Sequence, residues 1–165
     1  MGKRLRGAAG RAGTSLLEVV TALSVAGVIL SIAAPPLRRL LATLRVQAAA
    51  RMVRADLEYA RMAGVRGGRG AVVRFVRDPG CAWAGSRGGR AYEVAPRAAA
   101  GAPRPSTLRT LEAGVCYDVN NADSLVFNSR GLLAPFNNRT IWTLAGGARD
   151  SVTVSVAGRI RHRAP

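Results

Sequence analysis

The longest uncharged stretch of the chain constrains its fold more than any other feature. It runs from Val19 to Leu37 and reads VVTALSVAGVILSIAAPPL. A helix rises 1.5 Å per residue, so about 20 residues match the roughly 30 Å hydrocarbon layer of a membrane. Four basic residues precede this stretch: Lys3, Arg4, Arg6 and Arg11. Because a short basic leader usually stays cytoplasmic, we expect a membrane helix whose C-terminal side faces the periplasm or the cell exterior.

An ordinary secretory signal peptide is the alternative interpretation of this segment. Such a peptide has an apolar core of about 7 to 15 residues without an acid, followed by a small-residue cleavage site. Ser31-Ile32-Ala33-Ala34 fits that site loosely, but Glu18 lies inside the apolar stretch, directly after Leu16 and Leu17. Under this alternative the helix would be removed and the rest would be an exported soluble protein.

The helical pattern continues beyond Pro35-Pro36. Apolar residues recur there at spacings typical of an amphipathic helix: Leu37, Leu40, Leu41, Leu44, Ala48, Met52, Val53, Leu57 and Ala60. Gly64 and the glycines that follow it are expected to end the helix. The sequence therefore predicts one helix of about 50 residues, kinked where the prolines remove backbone donors, with its second half packed on a domain.

Size and charge limit the classes of protein to which the chain can belong. Its 165 residues leave about 100 for a globular part, which excludes a large multidomain enzyme. The formal charge of +16 is of the kind that attracts phosphate. However, 24 of the 25 basic residues are arginine, a bias that GC-rich codons produce, and they are spread along the chain. The charge alone therefore identifies no partner.

Beyond Gly70 the apolar period changes from helical to alternating, which predicts strands. The candidates are residues 73–75, 91–95, 115–119, 125–128, 140–144 and 152–156, separated by turn residues such as Pro79-Gly80 and Gly146-Gly147. We expect an α+β fold in which a single antiparallel sheet packs one face against the amphipathic half of the helix.

Cys81 and Cys116 are the two cysteines of the chain. In an oxidising compartment a disulfide is the natural pairing, and closing its loop would contribute roughly 3 kcal/mol. Two unpaired thiols are the alternative.

No arrangement of residues in the sequence predicts catalysis. Asp118, Asp123 and Asp150 lie near turns, and no histidine or cysteine accompanies them as base or nucleophile. We expect no enzyme activity, no metal site and no cofactor.

The N-terminus resembles that of type IV prepilins: a basic leader, a glycine, a five-residue stretch ending in glutamate, and an apolar helix. The matching residues are Gly13, then Thr14 to Glu18. The resemblance implies that a membrane prepilin peptidase cuts between Gly13 and Thr14 and methylates the new N-terminus. Thr14 stands where the family usually has phenylalanine.

The physics of Glu18 fits this family role. A carboxylate in hydrocarbon costs several kcal/mol unless it is paired. Cleavage would create an ammonium group at Thr14 that could pair with Glu18 of a neighbouring subunit. This pair would favour assembly and set the stagger between subunits. A carboxylate that only reaches back to the lipid surface is the alternative.

The order of helix, glycine break and short strands resembles the FimT/GspH group of minor pilins and pseudopilins. The segments "VFNSRGLL" at 126–133 and "VTVSVAGRIR" at 152–161, the last strand with a basic tail, strengthen the resemblance. The implied organisation is a cleaved leader at 1–13, a transmembrane helix half at 14–37, an amphipathic half at 38–66 and a β-rich periplasmic domain at 67–165. The implied role is a subunit of a type II secretion pseudopilus or a type IV pilus.

The C-terminal tail suggests a second possible function, DNA binding. In the FimT branch a Gly-Arg-x-Arg tail is linked to DNA binding, and Gly158, Arg159 and Arg161 fit that pattern. Along one strand Arg159, Arg161 and Arg163 would share a face, a spacing suited to successive phosphates. A solvated basic tail, or a structural use of the same residues, is the alternative.

These interpretations predict the partners and the location of the chain. The expected partners are other pilins or pseudopilins, the prepilin peptidase and the inner membrane, with DNA as the partner under the second class. The expected location is a single pass through the inner membrane with the C-terminal domain in the periplasm, or a pilus or pseudopilus.

Overall fold

The computed structural model describes residues 15–97, 106–120 and 123–163, except for the side chain of Ala33. The chain divides into two compact units, Met1–Leu37 and Arg38–Pro165. Helix α1 covers Leu16–Arg66, and its 51 residues match the predicted length. In the described part, no single helix is long and apolar enough to span a membrane. The segments Leu16–Ile32 and Ala34–Arg66 meet that requirement only as a pair, by length and composition.

The β domain follows α1. Its described strands are β1 Ala71–Val76, β2 Ala91–Pro96, β3 Thr107–Thr110, β4 Cys116–Val119, β5 Ser124–Phe127, β6 Leu133–Ala134, β7 Arg139–Ala145, β8 Ala148–Val154 and β9 Ile160–Arg163. They form a five-stranded sheet of order β3-β2-β1-β5-β6 and a four-stranded sheet of order β4-β7-β8-β9. Neighbouring strands in both sheets are antiparallel. The predicted α+β class is confirmed.

The prediction of a single sheet is wrong. After β3, a turn with Gly114 at φ +84° leads into β4, which pairs with β7 and not with any strand of the first sheet. After β6, Pro135 follows directly and offers no N–H to a ladder, so pairing stops there and the chain enters the second sheet at β7. The chain thus leaves the five-stranded sheet twice.

Both sheets pack on the part of α1 that belongs to the second unit. Val46, Val53 and Leu57 are buried in one cluster that also holds side chains of both sheets. The Thr143 hydroxyl of β7 donates to the Val46 carbonyl at 3.2 Å. Alternate side chains of β7 and β8 are buried, as expected for strands with one covered face.

The predicted packing face of the helix is only partly correct. Val53, Leu57 and Ala60 are buried as predicted, but Leu40, Leu41 and Leu44 are exposed. The sheets pack instead on the side that carries Val46, Ala49, Ala50, Val53, Leu57 and Ala60. The sequence pattern misled because this part of α1 carries two apolar sides with the same period.

Candidate assembly site

Glu18 lies in the first turn of α1 and is exposed. The Thr21 hydroxyl donates to the backbone carbonyl of Glu18 at 2.9 Å and not to its carboxylate. The large apolar side chains nearest in sequence are exposed as well: Leu16, Leu17, Val19 and Val20. Gly13 and Thr14 lie outside the described residues. The first unit therefore presents a carboxylate among apolar side chains.

A second apolar stripe follows α1 within the second unit. We call it the outer stripe; its exposed members are Leu41, Leu44, Ala48, Ala55, Tyr59 and Met62. At 3.6 residues per turn these positions fall on one side, opposite Val46, Val53 and Leu57, and Arg51 interrupts them. Helices of globular proteins usually bury one apolar stripe, so two opposite stripes indicate a second packing partner. The sequence contains a signal of the outer stripe: a second set of apolar residues lies half a helical turn from the buried set.

The buried side of α1 carries one acid, which the apolar pattern of the helix did not predict. Asp56 is almost fully buried and accepts a 2.6 Å hydrogen bond from the Tyr92 hydroxyl of β2. The Arg109 guanidinium of the edge strand β3 lies 3.5 Å from the same carboxylate. Burial, followed by the hydrogen bond to Asp56, raises the pKa of Tyr92 above its ordinary value. This contact ties the helix to two neighbouring strands.

A disulfide fixes the loop between β1 and β2. The structure joins Cys81 to Cys116, with a Cα–Cα separation of 5.8 Å, and both residues are buried. A Cβ at Gly85 would collide with the Asp118 carboxylate, so the loop backbone lies directly against β4. Beside the loop, the Arg90 guanidinium and then the Gly80 N–H lower the pKa of Asp78.

The basic tail is a strand of its own, which corrects the prediction of one last strand followed by a tail. Strand β8 ends at Val154, a turn follows, and β9 returns antiparallel to it. Arg161 lies opposite Thr153 and Arg163 opposite Ser151, both on the outward face. In the same cross-strand row as Arg163 lies Trp142, whose ring centroid is 5.1 Å from the Arg149 guanidinium carbon.

Arg159 lies apart from these residues, in the turn before β9. It lines a cavity of about 360 Å³ with Glu58 and Arg61 of α1. Gly158 of the same turn has φ +72°, and a Cβ there would collide with the Gly131 carbonyl. The glycine of the Gly-Arg-x-Arg pattern is therefore required by packing, whatever the arginines bind.

His162 faces the opposite side of β9 from Arg161 and Arg163. Its Nε2 lies 2.6 Å from Oδ2 of Asp150, whose side chain is fully buried. The Ser151 N–H donates to the other oxygen of the same carboxylate at 2.6 Å. This pair anchors β9 to β8.

Within residues 15–97, 106–120 and 123–163, no three His, Cys, Asp or Glu side chains come together as a possible metal site. Asp118, Asp123 and Asp150 are engaged separately, with the Arg87 backbone, the Arg77 side chain and His162.

Comparison with solved structures identifies the fold. The chain is similar to the type IV minor pilin FimU of Pseudomonas aeruginosa in one crystal form, at 23% identity and a TM-score of 0.56, over 72% of this chain and 87% of FimU. In a second crystal form the values are 22% and 0.54, over 71% and 91%. The minor pseudopilin EpsH of the Vibrio cholerae type 2 secretion system matches at 18% and 0.54, over 73% and 98%.

No protein-family model matches the chain, and neither does any curated protein. The structural likeness therefore establishes the fold: a helix packed on antiparallel sheets in the manner of minor pilins and pseudopilins.

Proposed function

We propose that the chain is a minor pilin or pseudopilin subunit that acts by assembly and not by catalysis. Prepilin peptidase would cut it after Gly13 and methylate Thr14, and the mature chain would be stored in the inner membrane with its β domain in the periplasm. From there it would join a type II secretion pseudopilus or a type IV pilus. The pilin-like fold and the Gly13-to-Glu18 motif support this role independently.

The outer stripe is the observation that carries the proposal. Leu41, Leu44, Tyr59 and Met62 leave roughly half of each side chain in water. Fully burying a side chain such as leucine gains about 1.5–3 kcal/mol, so a stripe of this length is a strong packing surface. Its occupant would be the helix of a neighbouring pilin subunit, because a long apolar stripe on a helix fits another helix.

The N-terminus of the mature protein tests the proposal. Sequencing of the protein purified from membranes is expected to begin at Thr14, with an added methyl group detected by mass spectrometry. A soluble product that begins near Ala34 or Pro35 would instead support an ordinary signal peptide and overturn the pilin role. A start at Thr14 without the methyl group would preserve the role and remove only the methylation.

DNA binding is the second candidate function, and the outward face of the four-stranded sheet favours it. Arg161 and Arg163 project there two residues apart, and Arg163 shares a cross-strand row with Trp142, whose ring stacks with Arg149. Guanidinium groups bind phosphates, and an aromatic ring on a sheet can stack against an unpaired base. Arg159 lines a different cavity, together with Glu58 and Arg61 of α1, and is therefore not part of this candidate DNA-binding face.

A gel-shift comparison tests this candidate at physiological salt. The Arg161→Gln/Arg163→Gln variant is expected to bind single-stranded DNA about tenfold more weakly, because two phosphate contacts are lost. The Arg66→Gln/Arg130→Gln variant is the matched control, since it removes the same charge from exposed positions elsewhere. Equal weakening in both variants would mean that only net charge matters and would reject a DNA site on this face.

A further inference from the structure

A cavity of about 420 Å³ opens on the outward face of the five-stranded sheet, away from the outer stripe and the arginine tail. Its floor is apolar and consists of Val72, Ala95 and Pro96. Val72 and Ala95 are direct cross-strand partners in β1 and β2, so the floor is part of the sheet and not of a loop.

Arginine side chains form the two ends of this cavity. At one end Arg74 is already neutralised, because its guanidinium lies 2.9 Å from the Glu93 carboxylate across the strand pair. At the other end lie Arg69 and Arg97. The Arg97 N–H donates to the Gly70 carbonyl at 2.9 Å, which joins the backbones of residues 70 and 97 where the strand pair begins, and Arg69 and Arg97 line the same cavity there.

Neither Arg69 nor Arg97 has an ion-pair partner among the described residues, and the domain has no acid to spare. Each of the eight acidic residues from Asp56 onward already has a partner. The pairs are Asp56 with Tyr92, Glu58 with Arg54, Asp78 with Arg90, Glu93 with Arg74, Glu112 with Arg45, Asp118 with the Arg87 N–H, Asp123 with Arg77, and Asp150 with His162. The segment 98–105 that continues from Arg97 contains no acid.

We propose that this cavity binds an acidic segment of a partner pilin subunit, with a carboxylate between Arg69 and Arg97 and a small apolar side chain on Val72 and Ala95. A guanidinium group binds a carboxylate through parallel hydrogen bonds, and two adjacent groups add geometric selectivity. The concave shape and apolar floor favour a peptide over nucleic acid, which requires an extended track of positive charge. The inference rests on the proposed assembly role, which supplies the partner subunit.

Two short peptides serve as probes: acetyl-Ala-Val-Glu-Val-Ala-amide and its twin with glutamine in place of glutamate. The full-length chain, isotope-labelled in detergent micelles, is titrated with each peptide while the amide resonances of Gly70, Val72 and Arg97 are followed by NMR. We expect the glutamate peptide to bind at least about tenfold more tightly than its twin, because it alone offers charge-assisted hydrogen bonds. Equal affinity for the two peptides, or no shift at these amides, would overturn the proposal without the need for any variant.

A variant then locates the contact. Arg69→Gln/Arg97→Gln is expected to lose about tenfold in affinity for the glutamate peptide and nothing for the glutamine peptide. Arg161→Gln/Arg163→Gln is the matched control, since it has the same net charge and leaves the cavity intact. An equal loss in this control would contradict a specific site. Stronger perturbation of the three amides by a DNA oligonucleotide than by the glutamate peptide would assign the cavity to nucleic acid and reject the peptide.

Different results would refute the proposed assembly role and the proposed peptide site in the cavity. A mature protein that begins at Thr14 but shows no preference for the glutamate peptide refutes the cavity alone. A mature protein that begins near Ala34 refutes the assembly role, even if the peptide binds.

Discussion

A chain carrying Glu18→Ala is expected to be cut after Gly13 and to remain in the membrane, but to disappear almost completely from assembled filaments. In the wild type the Glu18 carboxylate would pair with the ammonium group of Thr14 on a neighbouring subunit, within an apolar environment. Removal of one partner leaves the other charge uncompensated there, which costs about 3–5 kcal/mol. Every 1.4 kcal/mol is a factor of about ten, so incorporation is expected to fall by a hundredfold or more.

Filaments sheared from cells and the matching membrane fraction, both probed with an antibody to the β domain, measure this effect. Thr21→Ala is the matched control, because Thr21 is the next polar residue of the helix and, among the described residues, its hydroxyl bonds to the Glu18 carbonyl of the same helix. A Glu18→Ala chain that is processed and incorporated like the wild type would refute the pairing account. Loss of incorporation in Thr21→Ala as well would mean that any change in this turn disrupts assembly.

The Cys81→Ser/Cys116→Ser variant is expected to lose about 3–4 kcal/mol of unfolding free energy, because the unfolded chain regains the entropy of a loop whose ends are 35 residues apart. The bridge holds the β1–β2 loop against β4, where both sulfur atoms are buried. Denaturant unfolding of the purified mature protein, followed by circular dichroism, measures the change.

Reductant provides the control for this measurement. Wild-type protein in reductant is expected to unfold like the double-serine variant, and the variant is expected to be insensitive to reductant. Identical unfolding midpoints for oxidised wild type and variant would show that the bridge does not form in the mature protein.

The strands that the sequence predicted carry recurring apolar residues, and the clearest of them are those in which these residues alternate. Val73 and Phe75 of β1, and Val152 and Val154 of β8, are buried on one face, so the pattern identified both strands. The missed strands carry no such pattern. All four residues of β3 are exposed, β6 has two residues, and the arginines of β9 conceal the alternation of Ile160 and His162. These strands form through pairing with neighbours that are distant in sequence.

The division into two sheets could not be predicted from the sequence, for a similar reason. Strand β4 pairs with β7, about 25 residues later, although β5 follows it directly. The choice depends on tertiary packing, since side chains of α1 and of both sheets share one buried cluster. The same applies to α1: two apolar sides of equal period predict a helix, but only the positions of the sheets decide that Val46 is buried and Leu44 is exposed.

For the candidate site as well, the sequence predicts features that depend on neighbouring residues and misses contacts between residues that are distant in sequence. Gly13, Thr14 and Glu18 lie within six consecutive residues, so their motif can be recognised from the sequence. The hydrogen bond between Asp56 and Tyr92 joins residues 36 positions apart, and no local sequence pattern predicts it. A charged residue placed between Val53 and Leu57 was the available signal, since a buried acid usually has a partner.

The internal pairing of every carboxylate in the β domain has a consequence for copy number. Without the four basic residues of the leader, 21 basic residues face nine acids, a net charge of +12. Two copies placed side by side would bring arginine against arginine with no acid available to bridge them, and exposed like charges within a Debye length of roughly 8 Å repel. If the chain assembles as proposed, this charge favours contacts with more acidic neighbours over contacts between two copies of the chain. Its stoichiometry in a filament would be limited by its own surface.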